Sequence, residues 1–279
     1  MFGADDAPVS DTATIDEHAA RADFMLISHS HFNHCMDMPH IARKTGAAVI
    51  GTESTTNIAR ACGVPAGQLI TVRGGEDYEF GAFSLKVVPS LHSAANSKRY
   101  FSSAVIPRDI KAPLRQRDYV EGGTLAYLIR FGGYGIMAFC SMNYIEHEVA
   151  GLQPDVALIP ASKRRLEIHD YTGRLLRALG LPSLVIATHW DSQPLAYGMS
   201  QDEALKQAES FVGEVKAVSP HARVIVPRHF ETVVLERRRG RTDGAVQDCQ
   251  GRRPPPSVSR AHSTARDDQR VKHARVGTD

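Results

Sequence analysis

The chain has 279 residues, of which 42% are hydrophobic and 23% charged, an ordinary balance for a globular protein. No apolar run approaches the roughly 18–20 residues that span a bilayer, and the polar, acidic N-terminus is unlike a secretory signal. A membrane-spanning or secreted protein is therefore not expected. The four cysteines form no Cys-x-x-Cys pair, which favours free thiols and a cytoplasmic location.

Charge is unevenly distributed along the chain. The formal net charge is +2, but residues 237–279 alone contain eleven Lys or Arg and five Asp. The residues that precede them are therefore mildly acidic. Residues 237–279 also hold too little apolar material for a core, so we predict a basic, disordered tail after a folded domain of residues 1–236.

A cluster of histidines follows the first predicted strand. The apolar run 24–27 predicts a short buried strand, and His29, His31 and His34 come directly after it. In an extended segment His29 and His31 point to the same side, and His34 returns on the next turn. Converging imidazoles suit zinc and neighbouring transition metals. The alternative is that the histidines belong to a loop that binds no ion.

The rest of the folded region alternates between strands and helices. Gly46 is predicted to end the first helix after the histidines, and Ser54 and Ser200 are predicted to cap later ones. The predicted helices are 16–22, 38–45, 54–62, 168–179 and 201–218. The predicted strands are 47–50, 69–72, 83–88, 124–131, 135–140, 155–160, 184–187, 223–226 and 232–235. At most 28 residues precede the histidines, so we expect either an abbreviated first sheet or a truncated version of a longer ancestor. An unpaired sheet edge would favour aggregation or a homo-oligomer.

Residues 93–120 lack clear periodicity and are rich in polar and basic side chains. A long irregular connection is often a functional lid, and this one begins directly after His92. Tyr100, Arg108 and Arg115 are therefore candidate substrate contacts, and the basic groups favour an anionic small-molecule substrate. An ordinary solvated loop is the alternative.

Histidines follow predicted strands at two further places, His92 and His189. Segment 29–34 resembles the His-x-His-x-Asp-His signature of the metallo-β-lactamase superfamily, with Asn33 where the family has aspartate. The order and spacing over about residues 10–235 resemble the UlaG-like branch of that superfamily most. The resemblance implies an α/β fold, an αββα sandwich with a zinc cleft along one edge.

Two sets of metal ligands are implied by the resemblance. The first ion is expected to bind His29, His31 and His92. The second site falls on positions that lack two of the family's carboxylates, namely Asn33, His34, Ser141 and His189. Paired dications repel unless anionic ligands offset their charge. We therefore expect one firmly bound zinc ion, with manganese or iron as alternatives, and a weak or absent second ion.

The resemblance also implies a metal-dependent hydrolase, in which a metal-bound water attacks a small ester, lactone or phosphodiester. The catalytic group would comprise His29, His31, Asn33, His34 and His189. Asn33 cannot act as a general base at neutral pH, so activity should be reduced. One alternative is a catalytically impaired family member with a structural or regulatory metal. A weaker one is a nuclease of the superfamily, but the tail carries no interleaved aromatic residues that would support nucleic-acid binding.

Overall fold

The computed structural model describes residues 3–94, 104–191 and 200–235. The predicted basic tail and Tyr100 lie outside these residues, so both stay predictions. Three described cysteines, Cys35, Cys62 and Cys140, carry free thiols as expected. None of the helices in the described ranges is both long and apolar enough to cross a bilayer.

The strands of the described residues form two sheets. In chain order they are β1 Phe24–Leu26, β2 Ala48–Gly51, β3 Leu69–Thr71, β4 Asp77–Glu79, β5 Ser84–Ser90, β6 Thr124–Phe131, β7 Tyr134–Ala138, β8 Val156–Pro160, β9 Leu184–Thr188 and β10 Arg223–Ile225. The first sheet has the order β1-β2-β3 and is parallel, and the second has the order β10-β9-β8-β7-β6-β5-β4. The first sheet is short, with strands of three or four residues.

Helices cover the outer face of each sheet. In chain order they are α1 Thr12–His18, α2 Phe32–Cys35, α3 Met38–Thr45, α4 Glu53–Ala61, α5 Glu146–Val149, α6 Tyr171–Ala178 and α7 Asp202–Val218. Buried residues of α3 and α4 pack on the small sheet, and those of α6 and α7 pack on β6–β9. A third apolar cluster, which includes Ile50, Val87 and Tyr127, fills the space between the sheets. The layers therefore follow the predicted αββα order.

Several local predictions differ from the structure. The helix predicted at residues 16–22 lies at Thr12–His18, because the Asp11 side chain caps it by accepting the backbone N–H of Thr14. Residues 232–235 form no strand although Thr232 and its neighbours favour extended structure, because strand propensity requires a neighbouring strand and Val234 is largely exposed. Thr52, not Ser54, caps α4, since its hydroxyl accepts the backbone N–H of Thr55. The helix predicted from residue 168 begins at Tyr171 because residues 163–167 form a separate 3-10 turn.

A buried ion pair fastens the segment after β8 to α7. Arg165 is 1% exposed, and its Nε and Nη2 donate to the two carboxylate oxygens of Glu214 at 3.0 and 2.6 Å. Its Nη1 also donates to the carbonyl oxygen of Ala161 at 2.7 Å. Burial lowers the Coulomb screening of this pair and makes the loss of either partner costly.

We predict that Arg165→Ala lowers the free energy of unfolding by about 2–4 kcal/mol, because it removes a fully buried side chain together with its hydrogen bonds to Ala161 and to the partly exposed Glu214. Arg177→Ala is the matched control, since Arg177 forms an exposed pair with Asp170 and should cost about 0–1 kcal/mol. Urea unfolding of both variants measures the difference. Equal losses would contradict this account of the buried pair.

Candidate metal centre

The segment after β1 is extended, and its side chains point alternately to segment 120–125 and to the opposite side. Ser28 and Ser30 donate their hydroxyl hydrogens to carbonyl oxygens of segment 120–125, at 2.7 and 2.6 Å. Because successive side chains in an extended chain point to opposite sides, His29 and His31 face away from that segment. The serines attach the segment to residues 120–125, which lead into β6 of the second sheet, and the histidines line a cleft.

Gly122 allows this attachment. Its φ angle is +66°, and a Cβ atom at this position would lie 2.3 Å from Oγ of Ser54 and 2.6 Å from Oγ of Ser30. Real Cβ atoms do not approach other atoms so closely, and the left-handed backbone conformation also favours glycine. Any larger residue must therefore displace either α4 or the segment that carries the histidines.

The other cleft residues lie at one edge of the large sheet. Strands β5, β7, β8 and β9 run in the same direction, so their carboxyl ends meet at this edge, where open sheets build sites. His92, Ser141, Arg164 and His189 follow these four strands in that order. Together with the segment after β1 they line a cleft of about 660 Å³.

Five imidazoles converge in this cleft. The ligand atoms of His29, His31 and His92 lie within 4.8 Å of one another. The ring of His34 lies 4.0 Å from that of His29, centroid to centroid, and the His34 and His189 rings are 6.1 Å apart. The structure thus brings together all the histidines that were predicted to bind metal.

All five imidazoles are neutral at pH 7. Burial is the main cause: it lowers the pKa of His34 to about 3 and that of His92 to about 4, and it lowers the pKa of His29 well below the usual value. The charges of neighbouring imidazoles act in the same direction. Burial also lowers the pKa of His31 and His189. Neutral imidazole is the form that binds metal.

Hydrogen bonds orient His92. Its Nδ1 lies 3.0 Å from the carbonyl oxygen of Ser93, so Nδ1 carries the proton and Nε2 is left as the ligand atom. Ser141 Oγ accepts the backbone N–H of Ser93 at 2.8 Å, and Asn143 Nδ2 donates to the carbonyl oxygen of His92. Such partners fix the direction of a ligating histidine. Ser141 therefore positions the loop that carries His92.

The donor set fits one transition-metal ion. Among the described residues, the group of three or more potential ligands that converge is His29, His31 and His92, and it contains no carboxylate. Asp191 lines the cleft, but its Oδ2 lies 3.1 Å from Nε2 of His229. Asn33, at the start of α2, is exposed and lines the cleft.

The predicted substrate contacts do not reach the cleft in the described residues. Arg108 lines a separate hollow, and Arg115 begins a 3-10 turn and lies 3.6 Å from Asp5. Closeness to His92 in sequence did not place these side chains near it in space. Arg117 and Arg164 line the cleft instead. Arg164 could have been found, because it follows β8 in the same way that the histidines follow their strands.

Proteins of related sequence include named metal-dependent hydrolases. No family model matches the chain. It is 26% identical over 201 residues to a UPF0173 metal-dependent hydrolase of Staphylococcus aureus strain JH9, an alignment that covers 72% of this chain and 80% of the relative. The two sheets with their covering helices agree with the αββα sandwich that was expected. The three histidines of segment 29–34 all line the cleft.

Two solved structures resemble the protein at lower identity. Igni18, a metallo hydrolase from the archaeon Ignicoccus hospitalis, is 20% identical with a TM-score of 0.46, and the match covers 77% of this chain and 80% of that one. The metallo-β-lactamase fold protein YhfI from Bacillus subtilis is 13% identical with a TM-score of 0.46, covering 78% of this chain and 80% of the other.

We predict that Gly122→Ala destabilises the protein far more than Gly132→Ala. Both glycines have a positive φ, +66° and +59°, but a Cβ at Gly132 meets nothing within 4 Å. Gly132→Ala should therefore cost only the left-handed strain of about 1–2 kcal/mol. Gly122→Ala adds the contacts with Ser54 and Ser30, and it should also weaken metal binding by moving the histidines.

Urea unfolding and a zinc titration measure the two effects. If the two variants were equally stable and bound zinc equally well, the close approach at Gly122 would not position the histidine segment.

Proposed function

We propose that this protein is a metal-dependent hydrolase of the UlaG-like branch that holds one zinc ion with His29, His31 and His92. The convergence of three neutral imidazoles in a cleft is the observation that carries the proposal. When bound, the ion supplies Lewis acidity, which lowers the pKa of water and polarises a substrate oxygen. The Staphylococcus aureus relative is named a metal-dependent hydrolase, which agrees with this assignment.

The second ion site of the superfamily is weak or absent in this proposal. Two dications need anionic ligands between them, and Asn33 and Ser141 carry no charge. Ser141 Oγ already accepts a backbone N–H, which orients the loop of His92. The rings of His34 and His189 lie 6.1 Å apart and are free to act on the substrate.

His189 is the imidazole in the cleft best suited to hold a proton. Its pKa is lowered by burial, but the neighbouring carboxylate of Asp191 raises it in part. His34 has no such carboxylate among the causes of its shift, and its pKa falls to about 3. We therefore assign His189 the role of taking the proton that the attacking water loses and passing it to the leaving group, with His34 as a neutral hydrogen-bond partner of the substrate.

Arg164 supports an anionic small-molecule substrate. Its positive charge contributes to the lowered pKa of His31, His92 and His189, so the charge acts on the cleft from close range. The cleft volume of about 660 Å³ is within the range of small-molecule sites. A small phosphodiester or phosphorylated lactone combines the scissile bond with the negative charge that Arg164 would bind.

One observation favours a second candidate function, a family member with bound metal and little or no turnover. Asn33 stands where the superfamily has an aspartate that orients the attacking water, and an amide cannot take its proton. Such a protein would keep the metal for a structural or regulatory purpose. Turnover measurements separate the two candidates.

We predict that the purified full chain contains about one zinc per chain and hydrolyses an anionic phosphodiester or phosphorylated lactone faster than a neutral ester. His92→Ala should lose most of the metal and at least about a hundredfold of the activity, because catalytic zinc requires three protein ligands. The control is His147→Ala, which removes an exposed histidine outside the cleft.

Elemental analysis and initial rates over the substrate panel give the result. Metal that stays bound in His92→Ala would overturn the ligand assignment. Zinc in the wild-type chain with no turnover of any substrate would favour the second candidate.

We also predict that Asn33→Asp combined with Ser141→Asp raises the metal content from about one to about two ions per chain, because the two carboxylates offset the repulsion between dications. Asn33→Ala combined with Ser141→Ala is the uncharged comparison and should bind no second ion. Zinc titration followed by elemental analysis measures the ratio. Two ions in the wild-type chain would contradict our account of positions 33 and 141.

A further inference from the structure

A second hollow, of about 220 Å³, lies outside the histidine cleft and shares no lining residue with it. It is formed by α4, the end of β3 and the segment around residue 108. Three arginines surround it: Arg60 from α4, Arg73 from the turn after β3, and Arg108. Its volume is several times the ~30 Å³ that one water molecule occupies in the liquid.

The protein offsets the positive charge of this hollow only in part, since three arginines face Glu53 and Glu76, the latter of which accepts the backbone N–H of Arg73 at 2.7 Å. Arginine is always protonated at neutral pH, and a single carboxylate, Glu53, lies among the lining residues. Within the described residues, none of the three arginines has a carboxylate oxygen within ion-pair distance. Three guanidinium groups around one small space repel one another, and a bound anion would remove this repulsion.

Two buried residues of α4, Thr56 and Asn57, form one side of the hollow. Asn57 is 3% exposed, its Nδ2 donates to the carbonyl oxygen of Ile106 at 2.8 Å, and its Oδ1 accepts from Nη1 of Arg60 at 2.6 Å. This bond fixes the direction of the Arg60 guanidinium and leaves its other N–H groups for a ligand. A guanidinium held in this way presents parallel donors, the geometry that carboxylates and phosphates accept.

Two hydroxyl groups complete the wall. Oγ1 of Thr56 and Oγ1 of Thr71 lie 3.0 Å apart, and Thr56 is 1% exposed. Oγ1 of Thr56 donates its hydrogen to the carbonyl oxygen of Glu53 at 3.1 Å, so Thr71 is the donor to Thr56, and its hydroxyl can turn to donate to a ligand instead. Hydroxyl and guanidinium donors together are typical of oxyanion sites rather than of cation sites, which need oxygen acceptors.

We propose that this hollow binds a tetrahedral oxyanion, namely phosphate or the phosphoryl group of a small molecule, through Arg60, Arg73 and Arg108. A bound anion would also hold Arg108 and its neighbours against α4. Ile106 already contacts α4 through both its backbone N–H and its carbonyl oxygen. The same segment continues to residues 116–120, which line the histidine cleft.

The test compares the full chain with Arg73→Gln combined with Arg108→Gln. These two arginines are exposed, so their replacement should leave the fold intact, whereas Arg60 is kept because it also bonds Asn57. The control is Arg21→Gln combined with Arg223→Gln, which removes the same charge from exposed arginines outside the hollow. Calorimetric titrations use sodium phosphate, glycerol phosphate and, at equal ionic strength, sodium chloride.

We expect saturable phosphate binding by the wild-type chain and by the control. In Arg73→Gln/Arg108→Gln the phosphate affinity should fall at least about tenfold, because two charge-assisted hydrogen bonds are lost. Phosphate should also slow amide hydrogen exchange in residues 104–110 of the wild-type chain but not of that variant. Phosphate bound in the histidine cleft contributes equally to all three proteins, so the difference reports the hollow alone.

The two phosphate compounds distinguish the sources of the oxyanion. Tighter binding of glycerol phosphate assigns the hollow to a phosphorylated molecule, and equal or weaker binding assigns it to free phosphate. Equal phosphate affinity in the wild-type chain and in Arg73→Gln/Arg108→Gln would overturn the proposal, and so would the absence of saturable binding in the wild-type chain. Neither result depends on hydrolysis.

Discussion

The hydrogen bonds of Ser28 and Ser30 to segment 120–125 are the constraint on which the histidine cleft depends. They join the segment after β1 of the small sheet to the segment at the start of β6 in the large sheet. Because an extended chain alternates its side chains, fixing the serines on one side fixes His29 and His31 on the other. The positions of two histidines of the cleft thus follow from two hydroxyl groups.

Burial keeps the imidazoles of these histidines neutral. An imidazole in a poorly solvated site loses its proton, and its neighbours, if charged, would repel one another. The imidazoles are therefore neutral at pH 7, and their nitrogen lone pairs are available to a metal ion. Protonation at acidic pH would place several positive charges close together. The protein therefore keeps a cluster that is well suited to a dication. Helix α2 begins directly after His31 and returns His34 to this cluster.

Apolar periodicity and strand ends are local signals, so the sequence predicted most strands and the converging histidines, whereas the order of the layers came from the resemblance to a known family. The sequence did not predict which basic residues reach the cleft. Arg108 was chosen for its closeness to His92 in sequence, whereas Arg164, which follows a strand as the histidines do, is the one that packing of β8 beside β9 brings to the site. Ser54 shows the same limit: a serine near a helix start suggests a cap, but here its hydroxyl accepts the backbone N–H of Ile106.

The lack of carboxylates in the histidine cluster has a consequence for the substrate. In a cleft with two aspartates, protein charge offsets the metal ions, but here Asn33 and Ser141 are neutral and Asp191 is close to His229. One dication together with Arg164 would leave the cleft with an excess of positive charge. A substrate with a negative charge would neutralise part of this excess positive charge while it is bound. Under the proposed function, the same two substitutions that weaken a second ion site therefore favour an anionic substrate over a neutral one.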